Sequence, residues 1–159
     1  MKVLLVDDEP FILQGLSVLI DWAAEGCEIV KMASNGKEAL LYLEDHEADL
    51  VITDIKMPVM SGLELLEQIR GRQISDAFFI ILSGYNDFSY AQKAIRYACM
   101  DYLVKPVQKE ALLELIRKAK SSLAVTEQNA ENERRMQEMQ LKQYIIALLR
   151  GKQNEEELK

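Results

Sequence analysis

Short apolar runs alternate with segments of helical period along most of this chain. Lys2–Val6 reads as a strand, and Leu13, Leu16, Leu19-Ile20 and Ala23 then recur at the three-to-four spacing of a helix. Pro10 falls in the first turn of that helix, where its missing N–H costs nothing. Glu28–Ala33 predicts a weaker, more peripheral strand ended by Asn35-Gly36, and Ala39, Leu40 and Leu43 mark an amphipathic helix over 37–44. Leu50–Thr53 predicts a third strand, and Leu63–Ile69 a third helix after Ser61-Gly62. Phe78–Leu82 is apolar throughout, as a parallel strand covered on both faces should be. Asp87–Ala98 predicts a fourth helix and Asp101–Val104 a fifth strand. Five strand–helix units of about 20–25 residues imply an α/β fold with a doubly wound parallel sheet and right-handed crossovers.

After Gln108 the pattern changes. Leu112, Leu115, Ile116, Ala119 and Leu123 make a helical face able to cover the sheet, whereas 126–143 is mostly Glu, Gln, Asn, Arg and Lys without Gly or Pro. Glu131–Arg135 and Glu138–Lys142 are i,i+4 pairs in the favourable order. One helix from 109 to 149 would extend roughly 60 Å. Its apolar stripe fails at Glu133, Gln137 and Gln140 and resumes, shifted, at Leu141, Ile145 and Leu148. That phase break argues against a long uniform coiled coil and for a helical connector with a short dimeric contact, the plainer alternative being a solvated, partly frayed helix. The expected division is a domain over 1–122, a helical linker over 123–152 that continues the last helix, and a disordered tail over 153–159.

Composition narrows the class. A net charge of −7 and a pI near 4.9 argue against nucleic-acid or anionic-membrane binding by these residues. The four-residue apolar run before Asp7-Asp8 is too short for a signal peptide, and no run approaches the roughly 20 residues of a membrane span. Cys27 and Cys99 are far apart in apolar contexts, which points to reduced, buried thiols and a cytoplasmic protein.

The candidate chemistry lies where strands end. The first strand runs into Asp7-Asp8-Glu9, the third into Asp54 and Ile55-Lys56-Met57-Pro58, the fifth into Lys105-Pro106. Ligands of doubly wound sheets bind beyond the carboxyl ends of strands. If those strands are parallel neighbours, three acids and a lysine converge in one shallow cleft. Hard oxygen ligands suit Mg2+, supplied by Asp7, Asp8, Asp54 and a loop carbonyl just after Asp54. Lys105 then pairs with an anion, and Ser83 offers a hydroxyl on the same rim. Together they fit acceptance of a phosphoryl group by Asp54. Taken singly, Asp7-Asp8 could cap the first helix and Asp54 could be a turn residue. The joint arrangement outweighs those readings. His46, in an acidic run without a second His or Cys at ligand spacing, reads as a surface residue, and no phosphate-binding glycine loop or nucleophile elbow is present. A magnesium-dependent phosphohydrolase is disfavoured, because such enzymes place an acid two residues after the nucleophile, where this chain has Lys56.

Residues 1 to about 122 resemble the receiver domains of bacterial two-component response regulators. The resemblance is carried by Leu5-Val6-Asp7-Asp8-Glu9, Ile52-Thr53-Asp54-Ile55-Lys56-Met57-Pro58 with Ser61-Gly62, Leu82-Ser83-Gly84-Tyr85 and Asp101-Tyr102-Leu103-Val104-Lys105-Pro106. It implies a flavodoxin-like strand order 2-1-3-4-5 and a signalling module, not an enzyme. It implies that a sensor histidine kinase phosphorylates Asp54. Asp8, Asp54 and the Lys56 main-chain carbonyl would ligate Mg2+, with Asp7 acting through water. Lys105 and Ser83 would contact the phosphoryl group, and Tyr102 would swing inward as the switch. Lys105–Pro106 would be cis. Homodimers would form through the helix 4–strand 5–helix 5 face, the C-terminal helix, or both. The stretch Ser83–Arg96 is similar to a subgroup whose output is an AraC-type helix-turn-helix region. No such region follows here, so DNA binding is expected of a longer parent protein. Tyr85 and Lys56 are expected to flank Asp54, with Tyr85 slowing hydrolysis of the phosphorylated state.

Overall fold

A computed structural model describes residues 1–84 and 88–157, with side chains given for all of these except Phe88, Tyr90, Ala91, Ile95 and residues 152–157. The strands β1 (Lys2–Val6), β2 (Glu28–Ala33), β3 (Leu50–Asp54), β4 (Phe78–Ser83) and β5 (Asp101–Val104) pair in the order β2-β1-β3-β4-β5, every pair parallel. Helices α1 (Pro10–Leu19), α2 (Gly36–Asp45), α3 (Gly62–Gly71), α4 (Phe88–Arg96) and α5 (Lys109–Glu157) alternate with them. The five βα units, the parallel pairing and the strand order all agree with the sequence reading.

The strands are apolar at consecutive positions because both sheet faces are covered, and alternation then sorts the side chains. Val3, Leu5, Ile52, Ile80 and Leu82 point into one core with Leu13 and Leu16 of α1 and Leu112, Leu115, Ile116 and Ala119 of α5. Leu4, Val6, Val51, Phe79 and Ile81 point into the other, with Leu40 and Leu43 of α2 and Leu65, Leu66 and Ile69 of α3. Full burial of a Val, Leu, Ile or Phe side chain among these contributes about 1.5–3 kcal/mol. β2 sits at the sheet edge and is only partly buried, as its mixed composition implies.

Local chemistry fixes the helix starts. Asn35 Oδ1 accepts the Glu38 N–H at 2.9 Å while Glu38 accepts the Ser34 N–H at 3.1 Å, and Ser61 Oγ accepts the Glu64 N–H at 3.1 Å. α1 differs from these: its cap is Glu9, without a bond from its own side chain, and the Glu9 N–H is taken by Asp7 Oδ1 at 2.9 Å. Trp22 donates its indole N–H to the Leu16 carbonyl at 3.0 Å. Arg70 donates to the Ser75 and Ala77 carbonyls at 3.2 and 2.9 Å, its guanidinium 5.3 Å from the centre of the Phe79 ring.

The chain divides into two compact units, Met1–Lys120 and Ser121–Lys159. Within the first, Arg117 Nη2 lies 3.1 Å from Glu25 Oε1, and Lys120 Nζ donates to the Glu25 carbonyl. Within the second, the side chains of 124–151 are exposed, Leu141, Ile145 and Leu148 included, and Arg135 pairs with Glu131 at 2.7 Å. α5 continues to Glu157, beyond the 149 read from the sequence and into the stretch expected to be disordered. Gly151 has open space around it, and a lone glycine costs a helix about 1 kcal/mol without ending it. Cys27 and Cys99 are free thiols, Cys27 buried. Among the described residues no helix is long and apolar enough to cross a membrane.

Candidate functional site

The carboxyl ends of β1 and β3 are adjacent, which brings Asp7 and Asp8 beside Asp54. One carboxylate oxygen from each of the three lies within 4.8 Å of the others. Asp7 is fully buried, Asp54 nearly so, and Asp8 is exposed. β5 is not their neighbour, because β4 intervenes. The lysine's length closes that gap: Lys105 Nζ lies 3.2 Å from Asp7 Oδ2 and 3.2 Å from Asp54 Oδ2. The second oxygen of each acid accepts a main-chain N–H at 2.9 Å, Asp7 from Glu9 and Asp54 from Ile55. The peptide between Lys105 and Pro106 is cis.

Burial raises the Asp7 carboxyl above its ordinary value of 3.8, and the neighbouring Asp8 adds to this against the lowering effects of the Glu9 N–H and Lys105. Asp54 is raised for the same first reason, with Asp7 as the next cause. Burial alone would lower the Lys105 ammonium, but Asp54 and then Asp7 outweigh it and hold Lys105 above 10.5. Among the described residues the Lys105 ammonium thus meets two confined carboxylates, with a third beside them. The donor set is all hard oxygen. Asp7, Asp8 and Asp54 would hold Mg2+, whose charge would offset theirs.

The other predicted residues occupy distinct positions. Lys56 is exposed and, with Asp8, Met57, Pro58, Ser61 and Glu64, lines a cleft of about 460 Å³. Ser83 ends β4 between the acids and the lysine strand, buried, its hydroxyl 3.5 Å from the Leu103 carbonyl. Tyr102, on β5, is 45% exposed and is not gathered with the cluster. Tyr85 lies outside the described residues.

Sequence reasoning missed the glycines that hold the loop after Asp54. A Cβ on Gly62 would lie 2.0 Å from the Asp54 carbonyl oxygen, and the Gly62 N–H donates to the Ile55 carbonyl at 2.8 Å. Gly36, at the start of α2, donates its N–H to the Met60 carbonyl at 3.0 Å. The Ser-Gly and Asn-Gly pairs were visible, but only as helix starts.

Known proteins share this arrangement of elements. The family described as response regulator receiver domain matches residues 3–117. The chain is 39% identical over 112 residues to the uncharacterized transcriptional regulatory protein YesN of Bacillus subtilis, covering 70% of this chain and 30% of that protein. It is 42% identical over 115 residues to the transcriptional regulatory protein HptR of Staphylococcus aureus (strain N315), covering 72% and 44%. The chain therefore spans less than half the length of these curated relatives. The REC domain of AraT, a response regulator from Geobacillus stearothermophilus, superposes with a TM-score of 0.74 at 39% identity over 79% of this chain and 97% of that one. A two component transcriptional regulator AraC from Clostridium phytofermentans gives 0.71 at 28% identity over 78% and 95%. The chain belongs to the response regulator receiver domain family and is a receiver domain of a two-component response regulator.

Proposed function

We propose that Asp54 accepts a phosphoryl group from the phosphohistidine of a sensor kinase, and that the resulting change in charge is the signal this chain transmits. The observation that carries the reading is the bridging of Asp7 and Asp54 by one ammonium, at 3.2 Å to each, at the carboxyl ends of adjacent strands. An Asp54 carboxylate oxygen would attack phosphorus, forming an acyl phosphate, while the donor's P–N bond breaks and its electron pair leaves on the imidazole nitrogen. Lys105 would turn from the free carboxylate to the phosphoryl oxygens it is already placed to meet. Asp7, Asp8, Asp54 and the Lys56 carbonyl would hold Mg2+, which supplies charge neutralisation to the transferring group.

Ser83 would leave its long contact with Leu103 to bond the phosphoryl group, and Tyr102, now exposed, would move inward as the face of α4, β5 and α5 re-forms. That face, the second unit's apolar positions, or both would then pair in a homodimer. Control of transcription would belong to an output region of a longer parent protein, in the cytoplasm.

The test is phosphotransfer from a labelled histidine kinase to wild type and Asp54→Ala, each in Mg2+ and in chelator. Label should appear on wild type with Mg2+ alone; label on Asp54→Ala sinks the assignment. Sedimentation with and without beryllofluoride tests the dimer, and an unchanged mass counts against it.

A further inference from the structure

The loop joining β3 to α3 has a shape that its own sequence does not favour. Met60 donates its N–H to the Pro58 carbonyl at 2.8 Å, which closes a three-residue turn around Val59. Val59 has φ +70°, a left-handed conformation costly for a β-branched side chain, and its side chain is 79% exposed, so it buries little in return. The turn must therefore be held from outside.

Two holds are evident. Gly62 anchors the loop's end against its beginning, through its N–H to the Ile55 carbonyl. The second hold is remote in sequence. Gly36 donates to the Met60 carbonyl, and a Cβ there would lie 2.6 Å from that oxygen, 2.9 Å from Met60 Cγ and 3.0 Å from the Ser61 carbonyl oxygen. The two carbonyl oxygens are main chain, so they cannot swing aside as a flexible side chain would. Only glycine lets α2 approach this closely, and that approach also satisfies one of the helix's first N–H groups.

We propose that Gly36 is a positioning residue for the strand-end site: it clasps the strained Val59 turn and so keeps the Lys56 segment in register with Asp54, setting the affinity for Mg2+. This rests on the reading of Asp54, Asp8 and the Lys56 carbonyl as the cation's ligands. Without the clasp, Val59 relaxes toward negative φ and the loop that carries Lys56 shifts away from the carboxylates.

The experiment is calorimetric titration of the folded, full chain with Mg2+ alone. Residues that support a metal's ligands typically change affinity by 10- to 100-fold when altered, so Gly36→Ala should weaken binding about tenfold. Gly15→Ala is the control, because a Cβ there meets nothing within 4 Å; its affinity should stay at the wild-type value. Val59→Gly in the Gly36→Ala background should recover most of the loss, since glycine keeps a positive φ without help. A purely structural role for Gly36 would lower the melting temperature in chelator and leave the dissociation constant of the folded protein unchanged, and that result overturns the proposal. So does a double variant as weak as Gly36→Ala. If Gly36→Ala does not fold, Val59→Gly alone decides: relieved strain should raise the melting temperature in chelator by about 3 °C, and a fall overturns the clasp. A wild type that shows no heat with Mg2+ overturns the cation site and the clasp together, whereas a responsive wild type matched by Gly36→Ala overturns the clasp alone.

Discussion

Replacing Lys105 by methionine keeps most of its length and removes its charge. In the metal-free protein this takes away the ammonium that meets both Asp7 and Asp54, which lie beside Asp8. At an effective dielectric constant near 20, each attraction at 3.2 Å is worth about 5 kcal/mol before desolvation. Removing one partner of a buried pair typically costs about 3–5 kcal/mol. The lysine side chain is 24% exposed, and water screens part of the loss, so about 2–3 kcal/mol is the expected cost at neutral pH. For a unit of this size that lowers the melting temperature by about 10 °C. Differential scanning calorimetry in chelator would measure it, comparing wild type, Lys105→Met and Lys105→Met with Asp54→Asn.

The pH dependence follows from the signs. Asp7 and Asp54 titrate above 3.8 when folded, so their contribution is fully present below 3.8 and is lost as pH rises through their raised values. The methionine variant's deficit should therefore shrink in acid. Lys105 is raised above 10.5, so the wild type keeps the ammonium's contribution up to that pH and loses it above. Saturating Mg2+ should also narrow the gap, since it supplies the missing positive charge. A deficit of equal size in acid, at neutral pH and in Mg2+, unrelieved by Asp54→Asn, would refute the electrostatic account and leave packing as the lysine's role.

Other expectations follow from single contacts. Asp54→Asn should raise the metal-free melting temperature by a few degrees, by removing one of two confined charges, and should abolish the stabilisation by Mg2+; a thermal melt in both buffers checks this. Gly62→Ala should cost about 3 kcal/mol or more in urea denaturation, because its Cβ would meet the Asp54 carbonyl oxygen at 2.0 Å. Trp22→Phe should cost about 1–2 kcal/mol, leaving the buried Leu16 carbonyl unpaired, with the response to Mg2+ unchanged.

The fold was legible because strands buried on both faces write themselves as unbroken apolar runs, as Phe78–Leu82 does, and because Asn35 and Ser61 announce the helices after them. The carboxylates and Lys105 were legible because charge at the end of such a run has few reasons to be there. What escaped depends on distant parts of the chain. That Lys105 would reach across an intervening strand needs the strand order, which periodicity alone does not give. No local propensity predicts a left-handed Val59, since the contact that imposes it comes from a helix some twenty residues earlier. Gln153–Glu157 read as disordered from composition, yet the helix passes Gly151, where nothing crowds the backbone.

The helix that begins at Lys109 shows that an element of secondary structure and a unit of cooperative folding need not share a boundary. Ala119 is fully buried and Lys120 makes the last tie to Glu25, so the first three turns belong to the domain's core. A chain cut at 108 would lack a wall of that core, whereas one cut at 120 would keep every buried side chain of α5. Amide hydrogen exchange should divide the same helix into two regimes: slow, whole-domain protection up to about Ala119, then rapid exchange by local fraying.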